Sequence, residues 1–398
     1  MSHPDPAVPT ATAADEPAGQ DWDPRSPEVL ADQVAAYDEL RSRCPVAHDD
    51  YLGWTVLTHA DVVAVLEDHA TFSNRVSRRL TVPNGMDPPE HTPFRAIQDR
   101  YFTPERMAAT EPVVRDVAAR LVDDLPHGEP VELMDALADV FALRVQSRWM
   151  GWPESLEEPL REWTRKNHEA TLARDTEAMG HIALEFDSYI REQLDARRDA
   201  DPTAPDADLT TEIMSERVDG RPLTDQEIVS MLRNWTVGEL GTIAASVGII
   251  GWFLATRPDV QADLRAGAVD TDAAIDEILR IHPPLVSNRR TPTRDVEMHG
   301  RHLRAGDRMT VLWASANRDE SVFGDPDEFR PAENAPHNLL YGRGIHACPG
   351  APLARLELRV VTEELLARTS EIAPAPGEEA VPAVYPAGGF SRVPVVVR

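Results

Sequence analysis

Lysine is nearly missing from this chain. Lys166 is the single example among 40 basic residues, the rest being arginine, against 68 acidic ones. The arginine skew carries no chemistry of its own; the formal charge of −28 does. A surface so acidic repels phosphate backbones and anionic headgroups, which argues against nucleic acid and membrane surfaces as partners. Cysteine is scarce too. Cys44 and Cys348 alone cannot build a disulfide framework, a four-cysteine zinc site or an iron–sulfur cluster. No basic segment followed by an apolar one opens the sequence, so no secretion signal is expected. The longest apolar run, residues 243–255, is interrupted by Ser246, Gly248 and Gly251 and is shorter than the ~20 residues of a membrane span. The expectation is a cytoplasmic enzyme or binding protein.

With 42 % hydrophobic and 27 % charged residues, the 398-residue chain has the make-up of a globular protein with a large core. Residues 1–21, rich in proline, alanine and acid, read as a disordered tail, with order beginning at Trp22. Apolar spacing predicts a helix near 29–40 and a short strand followed by a helix over 53–68. Residues 72–90 lack periodicity and form a long loop, a feature that often carries function. Beyond Pro89 the pattern is helical, broken near Gly128, Gly151, 201–207 and 218–223. A long helix follows Asp225, and another spans 271–281 before Pro283 and Pro284. Strand pairs are expected over 286–315, a helix over 351–369 and a final strand over 393–398. There is no repeat and no linker. The fold class is mainly α with a small β portion, and residues 22–398 form a single large domain.

The most informative stretch is YGRGIHACPG, residues 341–350. Gly342, Gly344 and Gly350 let the backbone take positive φ and approach a bound group closely. Cys348 precedes a helix, whose free N–H groups favour a thiolate. Such a loop suits holding sulfur against a metal; a buried structural cysteine beside a turn is the plain alternative. The spacing Tyr341-x-x-Gly344-x-His346-x-Cys348-x-Gly350 resembles the haem-binding signature of the cytochrome P450 family, with tyrosine where phenylalanine is usual.

The resemblance implies the cytochrome P450 fold, with haem b between the long distal helix and the cysteine loop. Cys348 becomes the axial ligand of the haem iron. His346, His91 and Arg95 (from DPPEHTPFR), and Arg290 (from RRTPTRD) become donors to the haem propionates, and Tyr341, Gly344 and Gly350 shape the seat. Glu277 and Arg280 stand three apart on a helix, close enough to pair; in the family this pair is buried and structural, and PDEFRP supplies Arg330 as its third partner. Without the resemblance, each of these charges could be a solvated surface group.

On the long helix the family pattern aligns at Gly238-Glu239-Leu240-Gly241-Thr242. Thr242 bonds back to the Gly238 carbonyl, opening the helix for water, and helps deliver protons during oxygen activation. The acid normally before the threonine is replaced by Gly241. Glu239 either feeds protons instead or faces away, solvated or salt-bridged. Val286 and Phe390 are candidate substrate contacts. Arg75, Arg78 and Arg79 could attract a carboxylate substrate, or form solvent-facing pairs.

The implied activity is that of a monomeric monooxygenase inserting one atom of O2 into a small organic substrate. The electrons come from a ferredoxin and its reductase, or from a fused reductase domain missing from this chain. A basic patch of Arg95, Arg100, Arg343, Arg355 and Arg359 would dock the donor. A peroxide-driven peroxygenase is the alternative, prompted by Gly241; a haem sensor without turnover is disfavoured by Thr242.

Overall fold

The computed structural model describes residues 19–398. The expected tail falls outside the described residues except for its last three. Of those, Asp21 is already tied down: its N–H donates to the His48 carbonyl at 2.9 Å, and its carboxylate accepts from the His48 N–H and from Arg301.

The principal helices are α1 (Gln33–Arg43), α2 (His59–Glu67), α3 (His91–Asp99), α4 (Pro104–Asp123), α5 (Asp139–Met150), α6 (Glu157–Ala173), α7 (Thr176–Asp195), α8 (Asp225–Thr256), α9 (Pro258–Arg265), α10 (Thr271–Ile281) and α11 (Ala351–Arg368). Their starts follow from local chemistry. Asp32, Thr58 and Asp270 cap α1, α2 and α10 with side-chain oxygens, and Thr224 with Glu227 forms a reciprocal capping box before α8. Five strands, β1 (Val46–Asp49), β2 (Gly53–Val56), β3 (Phe72–Ser73), β5 (Ser287–Pro292) and β6 (Met309–Leu312), form a sheet ordered β1-β2-β6-β5-β3. A smaller sheet joins β7 (Ile372–Pro374), β8 (Pro394–Val397) and β4 (Pro130–Glu132) in that order. The helical bulk and the β portion agree with the expected class. The β1 and β4 strands, the π-helical turn Met134–Ala138 and the small hairpin 217–222 did not show in the residue pattern.

The central element is α8. It packs against α5, α7, α10 and α11, and its residues 243–255 are nearly all buried. The two glycines that interrupt this apolar run have a packing reason. A Cβ on Gly248 would collide with the Met134 sulfur and one on Gly251 with a Leu133 methyl, so the helix lies tight against the π-helical turn. Among the described residues α8 alone is long and apolar enough to cross a membrane, and 67 % of that window is buried inside the fold. The run of 13 residues understated this helix, which extends well past it.

Candidate functional site

The cysteine loop ends on α11, directly beneath α2 and α3. Cys348 donates its N–H to the Tyr341 carbonyl at 2.7 Å, closing the loop. Gly342 and Gly344 take φ of +70° and +72°, and Gly344 is pressed against the Leu66 carbonyl of α2, where a Cβ would clash. Gly350 departs from expectation. Its φ is −78°, and a Cβ there would make ordinary contacts with Phe102 and the Cys348 sulfur at 3.8 and 3.9 Å. What Gly350 contributes is its N–H, which with that of Ala351 donates to the sulfur and lowers the thiol pKa against the larger opposing effect of burial. Arg95 of α3 holds the loop from the other side, donating from Nη1 to the carbonyls of Ile345 (3.1 Å) and Ala347 (2.8 Å) and from Nε to Asp99. This loop-anchoring role was not visible in the spacing.

Cys348 is accessible by surface, yet burial raises its thiol pKa. A side chain both accessible and desolvated borders an enclosed space rather than bulk solvent. Gly238, Gly241 and, in part, Thr242 of α8 likewise keep open surface, next to the exposed Val237 and just before the buried run 243–251. The Thr242 hydroxyl donates to the Gly238 carbonyl, and Ser246 repeats the pattern on the Thr242 carbonyl at 2.7 Å. The helix remains continuous through this stretch, so it is not opened to the extent anticipated.

Beside the loop the chain gathers cationic and N–H donor groups. The rings of His91 and His346 stand 4.6 Å apart, edge to face, and the Nε2 atom of each is buried without a partner. Burial, aided by the proximity of the His91 ring and by the Arg290 and Arg95 charges, pushes His346 down to about 3, and burial with Arg95 lowers His91. Both rings are therefore neutral at pH 7. Arg290, on β5 opposite Met309, is 7 % exposed and gives one hydrogen bond, to the Arg289 carbonyl. Burial lowers its pKa to about 10. Asp87 and Asp99 are the carboxylates near these groups; Asp87 already accepts from Ser73 and the Asn74 N–H, and Asp99 from Arg95 Nε. Four donors thus converge with little anionic compensation. Tyr341 lies under the Arg355 guanidinium (4.4 Å), and its hydroxyl is buried in the neighbourhood of Asp276 without a hydrogen-bond partner among the described residues.

Glu277 and Arg280 pair through two hydrogen bonds deep in the scaffold. The third partner differs from the expected one. Arg330 gives Glu277 only its backbone N–H (3.0 Å), its guanidinium turning to the Phe323 carbonyl and Glu328. The side chain that completes the set is Asn334, at 2.7 Å from Glu277.

Glu239 is half-buried, and among the described residues no cation pairs with it. Its helix packs on α11, where its carboxyl and that of Glu357 act on each other and both bury oxygens that no donor satisfies. Val286 is 5 % exposed and sits in a core cluster with Trp22, Tyr37 and Leu312, so it is packing rather than lining; its neighbour Leu285 is 39 % exposed. Phe390 packs on Trp252 at 6.1 Å, toward the far end of α8. Of the exposed large apolar residues, Val76, Val237 and Leu285 belong to the loop, the long helix and the segment after Pro284, while Val113, Leu184 and Val381 lie elsewhere. Arg75 pairs with Glu90 and Arg79 with Asp187, which removes both as free cations.

Residues 271–383 match the family model "Cytochrome P450". Over 360 residues the chain is 34 % identical to the erythromycin C-12 hydroxylase of Saccharopolyspora erythraea, covering 85 % of this chain and 88 % of that protein. The chain belongs to the cytochrome P450 family. It is 32 % identical to the nocardicin C N-oxygenase of Nocardia uniformis subsp. tsuyamanensis, with 96 % of each chain covered. The open structure of cytochrome P450 EryK from S. erythraea superposes with a TM-score of 0.83 at 29 % identity, covering 92 % of this chain and 97 % of that one.

This P450 is an oxidoreductase, a haem b monooxygenase that acts on a small molecule with O2 and draws electrons from a redox partner. Haem b requires an axial ligand for its iron and cations or N–H donors for two carboxylates. The enclosed thiol of Cys348, the orphaned imidazoles of His91 and His346, and the buried Arg290 are groups of the required kinds.

Proposed function

We propose that this P450 oxygenates an apolar organic substrate with haem b seated between α8 and the cysteine loop. The observation that carries this is the accessible but desolvated Cys348, with the N–H groups of Gly350 and Ala351 directed at its sulfur. When bound, haem b supplies reductive activation of O2. Cys348 would hold the haem iron through its thiolate, and the two loop N–H groups would temper its basicity. His91, His346 and Arg290 would hold the two carboxylates, with Arg95 anchoring the loop and keeping Nη2 for them. Tyr341 and Gly344 would shape the seat, and Glu277 with Arg280 would stiffen the scaffold behind it. Thr242 would hold a proton at its hydroxyl, at the point where Gly238 offers a carbonyl.

Val76, Val237 and Leu285 would offer the substrate apolar surface. Relatives named for erythromycin, cyclomarin C and nocardicin C support a sizeable natural product as that substrate. We infer one domain over residues 22–398, a monomer working in the cytoplasm, and a ferredoxin with its reductase as donor, docking near the cysteine loop. The docking face is not a field of free cations. Arg95, Arg100, Arg343, Arg355 and Arg359 each have a carboxylate partner: Asp99, Glu216, Glu67, Asp276 and Glu111. A donor would compete for these pairs, so docking would be weak and salt-sensitive.

The test is the spectrum of the reduced, CO-bound protein. The thiolate-type Soret position is expected in wild type and its loss in Cys348→His; an imidazole-type Soret in wild type overturns the assignment. Gly241 in place of an acid favours a second reading, in which peroxide replaces O2 and the electron donor. Turnover with peroxide as fast as with NADH and redox proteins would select it.

A further inference from the structure

The enclosed face of α8 has a flank that the reading above leaves unused. Gly238, Gly241 and Thr242 form that face, and Glu239 lies about 100° around from Gly238, on the side turned to α11. There its carboxyl and that of Glu357 act on each other, and Glu357 belongs to the buried face of α11 with Leu353, Leu356 and Val360. Both oxygens of Glu357 and the Oε1 atom of Glu239 are inaccessible and without a conventional partner. Each carboxyl feels the other, and among the described residues no arginine, lysine or histidine acts on either. The one further titratable group in range is Cys348, whose thiol is opposed by the charge on Glu239. Two adjacent carboxylates cannot both ionise in such a site, so at least one proton stays between them. Burial and mutual repulsion move both pKa values upward. Glu239 nevertheless keeps part of its surface open, unlike Glu357, which is 0 % exposed. It therefore touches both the buried pair and the enclosed space.

We propose that Glu239 and Glu357 share a buried proton and that Glu239 delivers it into the space bordered by Thr242, in place of the acid that Gly241 lacks. This rests on the haem–thiolate reading of Cys348. In the transfer one O–H bond at Glu239 breaks and the proton passes to the hydroxyl side of Thr242. The Glu239 carboxylate left behind accepts the O–H of Glu357, and a proton from solvent restores the pair. Glu239 acts through Thr242 and is a positioning and proton-holding residue.

The test uses the haem-loaded protein. Infrared difference spectra between wild type and Glu239→Gln should contain the C=O stretch of a protonated carboxylic acid that shifts in D2O. The glutamine still hydrogen-bonds to Glu357, so the helix contact survives while the transferable proton is lost. Product formed per NADH should then fall by about tenfold or more and peroxide release should rise, with the reduced CO spectrum unmoved. Glu357→Gln should shift the pH profile of coupling downward, because an amide donor favours the charged form of Glu239. Absence of the acid band, or coupling in Glu239→Gln equal to wild type, overturns the proposal. Should that variant fail to load haem, an unmoved pH profile in Glu357→Gln does the same. An imidazole-type CO spectrum in wild type would instead remove the Cys348 reading, a separate result.

Discussion

Arg280 and Glu277 meet through two parallel hydrogen bonds, Nε to Oε2 at 2.8 Å and Nη2 to Oε1 at 2.9 Å, with side-chain exposures of 0 % and 1 %. The remaining valences are used: Arg280 donates to the Asn317 and Pro326 carbonyls, and Glu277 accepts from Asn334 and the Arg330 N–H. The pair thus stitches α10 to the segment that leads into the cysteine loop. A buried pair contributes little net stability while both partners stand, and breaking it is expensive because one charge is left stranded.

Glu277→Ala is therefore expected to lower stability by about 3–5 kcal/mol and to leave most of the protein without haem. Asn334→Ala removes one neutral donor to a charged acceptor and should cost about 1–3 kcal/mol. Urea midpoints and the haem-to-protein absorbance ratio measure both. Equal midpoints for the two variants would refute the ordering.

Asp187 of α7 binds two arginines at once, Arg79 of the 72–90 loop at 2.5 Å and Arg233 of α8 at 2.7 Å. The same loop is pinned by the Val82 N–H to Ser230 at 2.8 Å and by Asn234 to the Val82 carbonyl at 3.0 Å. In Asp187→Ala the two guanidinium groups lose their shared counter-charge. Amide hydrogen exchange over residues 76–85 should accelerate by about tenfold, an opening free energy reduced by about 1.4 kcal/mol. Exchange at the wild-type rate would show that the two backbone pins suffice without the carboxylate.

What could be read from the sequence was what is written locally. The long helix announces itself by its cap and its apolar run, the cysteine loop by contiguous spacing, and the Glu277–Arg280 pair by a three-residue interval on one helix face. What could not be read depends on which segments meet. Asn334 reaches Glu277 across 57 residues, and Glu357 reaches Glu239 from a different helix. The one residue-level clue to Glu357 was an acid inside the apolar stripe of α11. Val286 is packed while its neighbour Leu285 is open, because adjacent residues of the extended segment before β5 face opposite ways, and residue type alone does not say which way. The arginine patch failed for a similar reason: Glu67 and Arg343 are far apart in the chain and 2.6 Å apart in space. Charge counted along a sequence does not reveal its partners.

His282 follows α10, its ring edge-to-face with Phe253 at 6.1 Å, and its pKa is pushed down to about 4. Burial is the main cause, with the Arg318 and Arg280 charges adding to it and Asp327 opposing. The unfolded chain binds a proton at this ring near pH 6.5, so between pH 6.5 and 4 the unfolded state holds more protons than the folded one. The contribution of the neutral ring is complete above pH 6.5 and is lost as pH falls, by at most about 3 kcal/mol. His282→Phe keeps an aromatic ring against Phe253 and cannot be protonated. Between pH 7.5 and 5, wild type should lose more stability in urea than the variant does. Parallel losses in the two proteins would assign the acid sensitivity to other groups.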